Sequence, residues 1–313
     1  MQFSIGVGRY GSSTQWYLPG TDTSRLPAPN GGAAPPVAGA LEEAVDGLDG
    51  AVSLLGGLVD AVGSPDAGAG FVLDVAGAWN SVKNGSFLSD GAARVTLSGF
   101  VHADAVLGDG GDSSVVLRGA KRGNVATGNG EDTVTIEAAS NGSEWINEFR
   151  VATGDGGDAV VVRALDTAAA AASDPTFATT ANGAGAFVAA DANTAVVADL
   201  GAGDDSFFAL GLSVDRVSAG AGDDVIQAGG GDDTLSGGDG EDLFIFAAGD
   251  GRDTVLDFRP GTDRLLFGLD ADGARAVLDT ALEADGATTL FRGADAVVLV
   301  GVAKAEIAAG DLL

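Results

Sequence analysis

The sequence contains no cysteine and a single histidine, His102. Without thiols, neither a disulfide nor a thiolate metal site can hold the fold. One imidazole leaves the usual nitrogen and sulfur zinc sites short of ligands. Basic residues are scarce as well: 16 Lys and Arg stand against 45 Asp and Glu, for a formal net charge of −29. A protein that neutralises phosphates needs clustered cations, so nucleic acid is excluded as a partner. Long apolar runs are missing: Glu42, Glu43, Asp46, Asp49 and Asp60 interrupt the longest one. No window reaches the roughly 18 apolar residues of a transmembrane segment. The N-terminal "MQFSIGVGRYGSSTQWYLPG" has no basic start followed by an apolar stretch. Export is therefore expected to use a route that does not read a cleaved N-terminal signal.

Glycine and acid are what the chain has in excess. Glycine supplies 51 of 313 residues, and the acids gather in glycine-rich turns. Oxygen is the metal ligand left to such a chain, and oxygen donors suit calcium.

Four segments follow one another. Residues 1–36 form an arm and linker, in which Met1, Phe3, Ile5 and Val7 alternate with Gln2, Ser4, Gly6 and Gly8 in the period of a strand. Residues 37–85 form a segment expected to be helical. There Leu41, Val45, Leu48, Val52, Leu55, Val59 and Val62 step alternately by four and three, which predicts an amphipathic helix over 37–63. Residues 86–257 are short apolar runs divided by glycine–aspartate turns, with an alanine-rich stretch at 166–185 expected to be a surface insertion. Residues 258–313 close the chain as a cap.

The third segment is a repeat. Eight nonapeptides align: "LGDGGDSSV" (107–115), "TGNGEDTVT" (127–135), "TGDGGDAVV" (153–161), "LGAGDDSFF" (200–208), "AGAGDDVIQ" (219–227), "AGGGDDTLS" (228–236), "GGDGEDLFI" (237–245) and "AGDGRDTVL" (248–256). Positions two and four are glycine and position six is aspartate: Asp112, Asp132, Asp158, Asp205, Asp224, Asp233, Asp242 and Asp253. Alternating glycines allow φ > 0, which turns carbonyl oxygens inward, as expected of Gly201 and Gly203, Gly220 and Gly222, Gly229 and Gly231, and Gly238 and Gly240. The third-position side chains Asp109, Asn129, Asp155, Asp239 and Asp250 add further oxygens. Calcium takes six to eight oxygens at flexible geometry. One loop cannot provide that many, whereas two stacked loops can, which accounts for the repetition. Position eight is apolar in seven copies and fits an inward core residue: Val134, Val160, Phe207, Ile226, Leu235, Phe244 and Val255. The first copy departs, with Ser114 there and Val115 one place later. A dinucleotide fingerprint would need a glycine where this repeat has an acid, and a flexible linker would have no fixed apolar position.

These nonapeptides resemble those of the repeats-in-toxin (RTX) family, G-G-x-G-x-D-x-U-x with U a large apolar residue. The resemblance implies a mainly β fold: a calcium-binding parallel β-roll, here with an N-terminal strand arm, an amphipathic helix and a C-terminal cap. It implies two nonapeptides per coil and several calcium ions between adjacent coils. Asp224 and Asp242 should then stack, with Asp233 on the opposite row. "GRDTVLDFRPGTDRLLF" (251–267) is similar to the segment that closes family rolls, with Asp253 and Asp257 as ligands at the cap. Residues 288–313 resemble an uncleaved signal for type I secretion, which implies a secreted protein handled by that machinery.

No catalytic motif accompanies the repeat. H-E-x-x-H is impossible with one histidine, and "RVSAG" (216–220) fails G-x-S-x-G at its first position. His102 lies in an apparent strand, where a half-buried structural role is expected. The expected function is therefore that of a non-enzymatic, secreted, calcium-folded structural protein that self-assembles as a surface-layer, filament or matrix subunit. The arm 1–17 would pair with a neighbouring copy or with its own roll. The alternatives are a monomeric adhesin or binding module and, more distantly, a secreted hydrolase.

Overall fold

The computed structural model describes residues 2–4, 14–17, 48–55, 58–65, 70–74, 84–88, 91–98, 100–139, 146–165, 194–212 and 214–313. Within them the chain is wound almost entirely into two sheets. Sheet one holds, in spatial order, Gln2–Ser4, Gly70–Asp74, Arg94–Ser98, Ser114–Arg118, Thr133–Ala139, Ala159–Leu165, Ser206–Gly211, Val225–Gly229, Leu243–Ile245 and Arg264–Leu266. Sheet two begins Thr14–Tyr17, Leu48–Leu55, Leu58–Pro65, Asn84–Leu88, His102–Val106, Arg122–Ala126 and Asn147–Ala152. It continues Thr194–Ala202, Arg216–Ala221, Thr234–Asp239, Arg252–Val255, Asp295–Val300, Ala287–Arg292 and Leu282–Ala284.

From Leu58 to Leu266 the strands alternate between the sheets and pair in parallel with the strand one coil away. This is the parallel roll the repeat implies. Its parallel ladder already includes Leu58–Pro65 and Gly70–Asp74, N-terminal to the first nonapeptide.

Local sequence explains the winding. Alternation puts one side chain in two between the sheets, as in Arg216–Ala221, where Val217 and Ala219 are buried. The eighth-position residues Val134, Val160, Phe207, Ile226, Leu235, Phe244 and Val255 are all fully buried, as is Val115 of the first copy. Burying each of these larger side chains stabilises the fold by about 1.5–3 kcal/mol. Coil length varies without disturbing the ladder. Thr133 pairs with Ala159, Ala159 with Ser206, Ser206 with Val225 and Val225 with Leu243, so long and short coils each advance by one strand.

The roll is closed by a cap. After Arg264–Leu266, Asp270 caps the helix Ala271–Thr280 by accepting from the Gly273 N–H at 2.8 Å, and Ala274 and Val277 turn inward. The meander Leu282–Ala284, Ala287–Arg292 and Asp295–Val300 then joins sheet two beside Arg252–Val255. The C-terminus returns to sheet one, where Leu312 bridges Leu265.

The helix expected over 37–63 is not what forms. Leu48–Leu55 and Leu58–Pro65 are antiparallel strands, with Leu55 opposite Leu58; residues 37–47 lie outside the described residues. Gly47, Gly50, Gly56, Gly57 and Gly63 weaken a helix by about 1 kcal/mol each, and valines favour strands. A Gly-Gly pair between two apolar runs is also a sequence signal for a two-residue hairpin, and it outweighs the seam spacing. The arm contributes Gln2–Ser4, parallel to Val72–Asp74, and Thr14–Tyr17, antiparallel to Ala51–Leu54, both within the same chain. The stretch 166–185 lies outside the described residues.

Candidate metal centre

The nonapeptides sort onto two edges of the roll. Turns from sheet two to sheet one carry the loops at 107–113, 127–132, 153–158, 200–205, 219–224, 237–242 and 256–263. Turns in the other sense carry 212–215, 230–233 and 246–251. Six of the eight copies thus share one edge, and the copies at 228–236 and 248–256 lie on the other.

On the first edge the sixth-position aspartates form a column. Each Oδ1 accepts the backbone N–H one coil back: Asp132 from Ser113 (2.6 Å), Asp158 from Asp132 (2.8 Å), Asp205 from Asp158 (2.6 Å), Asp224 from Asp205 (2.8 Å), Asp242 from Asp224 (3.2 Å) and Asp263 from Asp242 (3.2 Å). Asp224 and Asp242 therefore lie on adjacent coils, 18 residues apart. Asp233 belongs to the second column, where Asp215 accepts from Val196 (2.8 Å), Asp233 from Asp215 (2.7 Å) and Asp253 from Asp233 (3.1 Å).

The other oxygen carries the chemistry. Oδ2 of Asp132, Asp158, Asp205, Asp224, Asp233 and Asp242 is buried and has no hydrogen-bond partner. An unpaired buried polar group costs about 1–3 kcal/mol, and more when charged. A repeated row of such oxygens fits a hard divalent cation. Among the described residues no three Asp, Glu or His side chains converge as a metal cage. A cation here must take much of its shell from backbone carbonyls, which again suits calcium.

The glycines supply that backbone. Gly201 (φ 103°), Gly203 (142°), Gly220 (120°), Gly222 (140°), Gly229 (84°), Gly231 (145°), Gly238 (104°) and Gly240 (133°) all take the positive φ expected. Stacking makes the choice strict: a Cβ on Gly220 would overlap the Gly201 carbonyl, and one on Gly238 the Gly220 carbonyl.

Not every expected ligand joins the columns. Asp112 is exposed and accepts from the Glu131 N–H at 3.1 Å, while Ser113 takes the buried place opposite Asp132. The first copy is thus displaced by one residue. Third-position side chains point outward: Asp109 Oδ1 accepts from Asn129 N–H (3.1 Å), Asn129 Oδ1 from Asp155 N–H (3.3 Å), and Asp155 and Asp239 are exposed. Asp250 accepts from Ala247 N–H within its own turn. Asp257 is engaged by Ser236 Oγ (2.6 Å) and Gly237 N–H (3.1 Å). Asp215 and Asp263, by contrast, enter the columns without a glycine loop to announce them. Asp215 does lie nine residues before Asp224, the spacing of the repeat.

Electrostatics follow from burial. It pushes Asp158, Asp205 and Asp242 up to about 6, Asp215 and Asp224 to about 7, and Asp233 and Asp253 to about 8. Backbone N–H donors oppose the shift, while neighbouring carboxylates such as Asp233 beside Asp253 add to it. His102 is half-buried at the start of its strand, with Nε2 2.9 Å from Asp104 Oδ1.

Comparisons agree with this reading of the loops. The family model of the RTX calcium-binding nonapeptide repeat matches residues 211–244 in four copies. The match includes Asp215, Asp224, Asp233 and Asp242, which fall alternately on the two columns. Repeats of this family bind several calcium ions. A search of curated proteins found no match. Among solved structures, extracellular lipase LipA from Serratia marcescens is similar over 80% of this chain and 40% of its own, at 14% identity and a TM-score of 0.27. The chain thus spans less than half the length of that lipase.

Proposed function

The chain carries RTX calcium-binding nonapeptide repeats, and on that premise we propose a secreted, non-catalytic structural protein that folds when it meets extracellular calcium. The row of buried, partnerless Asp Oδ2 atoms carries the proposal. Without calcium these carboxylates are buried unpaired and close to one another, which opposes winding of the roll. An extracellular-type site, with Kd of ~10⁻⁴–10⁻³ M at roughly millimolar calcium, contributes about 0.4–1.4 kcal/mol. About half a dozen such sites supply roughly 2–8 kcal/mol, comparable with the whole stability of an ordinary domain. At cytosolic calcium that contribution vanishes, so the chain would stay unwound until exported.

Residues 288–313 serve, in this proposal, as the type I secretion signal. Folding places Leu290, Val297 and Leu299 in the core, so the signal would be legible only before calcium arrives. Among the described residues no helix is long and apolar enough to cross a membrane.

After folding, the proposed role is self-assembly into an extracellular layer, filament or matrix. Two features support it. Gln2–Ser4 joins sheet one through a register of only three residues, and Leu282–Ala284 ends sheet two as an exposed edge strand. A short terminal strand is readily exchanged between copies, and an open edge accepts one. Size-exclusion chromatography with and without calcium tests the proposal. Large assemblies are expected only with calcium, and deletion of residues 1–17 should leave a calcium-folded monomer. A full chain that stays monomeric in calcium at every concentration would overturn self-assembly and favour the adhesin reading.

A further inference from the structure

The last step of the first column differs from those before it. The loops at 127–132, 153–158, 200–205, 219–224 and 237–242 contain no lysine or arginine, whereas the closing loop 256–263, "LDFRPGTD", contains Arg259. Its guanidinium reaches back toward the preceding coil. Nη2 donates to the Gly240 carbonyl and lies 3.7 Å from Asp242 Oδ2 and 3.5 Å from Asp263 Oδ1, while Nη1 is 3.9 Å from Asp239 Oδ1. Asp242 Oδ2 is itself one of the row of buried oxygens without a hydrogen-bond partner. The carbonyl of Gly240 is the counterpart of those of Gly203 and Gly222.

Asp263 differs in the same sense. Its Oδ2 accepts the Arg259 backbone N–H at 2.7 Å and is absent from the row of buried, partnerless oxygens. The closing loop also lacks the paired glycines that bring carbonyls inward; Gly261 is its sole glycine. At this step a monovalent cation on the chain faces the oxygens that upstream loops leave for a metal.

We propose that the Arg259 guanidinium takes the place of a calcium ion between the coils at 237–242 and 256–263, so that this step binds no metal and the roll closes onto its cap without it. The inference rests on the calcium reading of the column. It makes the final coil the one whose closure does not wait for calcium, and a fixed end against which metal-dependent coils can wind.

The test counts calcium per full-length chain, by metal analysis after equilibrium dialysis at saturating calcium. Arg259→Ala should bind one more ion than the wild type, because the oxygens around Gly240 and Asp242 become available. Arg259→Lys, which keeps the charge, should match the wild type. An Arg259→Ala count equal to that of the wild type overturns the inference. If that variant does not fold, Asp263→Asn in the chain that keeps Arg259 decides: an unchanged count is expected, and loss of one ion overturns the inference. A wild-type chain that bound no calcium would instead overturn the calcium reading itself.

Discussion

At the scale of single residues, Asp132, Asp158, Asp205, Asp224, Asp233 and Asp242 have two oxygens in separate settings. Oδ1 ties one coil to the next by accepting a backbone N–H, and Oδ2, buried without a hydrogen-bond partner, is the oxygen we propose for the cation. Asparagine would keep the first duty and lose the charge that serves the second. The raised carboxyl groups also set the pH response of the metal-free chain. Because folding favours their protonated form, their contribution to stability is fully present below the ordinary carboxylate range of about 4. It is lost as pH rises through about 6 for Asp158, Asp205 and Asp242 and about 8 for Asp233 and Asp253. In chelator, the folded fraction read by circular dichroism should therefore rise as pH falls from about 8 to about 5. Calcium affinity should move the opposite way, because the ion needs the deprotonated carboxylate. Circular dichroism in chelator and calcium titrations at each pH check both, and a chelated folded fraction that is flat or falls with acid would contradict the assignment. Glycine is tested by comparison. Gly238 (φ 104°) would place a Cβ against the Gly220 carbonyl, whereas Gly249 (φ 95°) has open space. Gly249→Ala should cost about 1–2 kcal/mol from backbone strain alone, and Gly238→Ala about 2 kcal/mol more, read by denaturant unfolding in calcium.

At the scale of elements, the roll depends on how its ends are closed. The C-terminal residues do this for sheet one: Leu313 donates to Leu265 O and accepts from Phe267 and Leu269, Leu312 is buried, and Asp311 accepts from Gly261 N–H at 3.1 Å. Deleting 309–313 removes these bonds, at about 1 kcal/mol each, and the burial of Leu312 at about 1.5–3 kcal/mol. The expected loss is about 6 kcal/mol in calcium, together with a higher calcium midpoint for folding by circular dichroism. Unchanged midpoints would mean that the tail is not part of the closure. Elements also show where sequence reading reaches its limit. The strands after each glycine loop were legible because one apolar position recurs at a constant offset. Leu48–Leu55 and Leu58–Pro65 were not, because four-three spacing of leucine and valine also describes a helix face. The choice between the two fell to glycine content and a Gly-Gly pair. Asp263 was hidden for a similar reason: its loop lacks the paired glycines of the repeat, and only the coil register brings it under Asp242.

Across the whole molecule, the two edges of the roll differ. Six nonapeptide loops stack on one edge, whose turns all enter sheet one. The coils that are 26 and 47 residues long have their extra sequence between Ala139 and Ile146 and between Leu165 and Thr194, outside the loops of the first edge. A column of ions needs loops of constant shape in contact, whereas the other edge can lengthen without breaking the ladder. The nine-residue beat by itself determined the chemistry: acid at one position, glycine at two and an apolar residue at another leave calcium loops joined by short buried strands. The family resemblance, with two nonapeptides per coil, implied that Asp224 and Asp242 share a row, and they do lie on adjacent coils. Which loops neighbour one another along the interrupted part, that Ser113 and not Asp112 enters the column, and that Arg259 faces the oxygens of Asp242 were decided only by tertiary structure. Those contacts join residues on different coils, and the register between coils is set by the packing of both sheets at once.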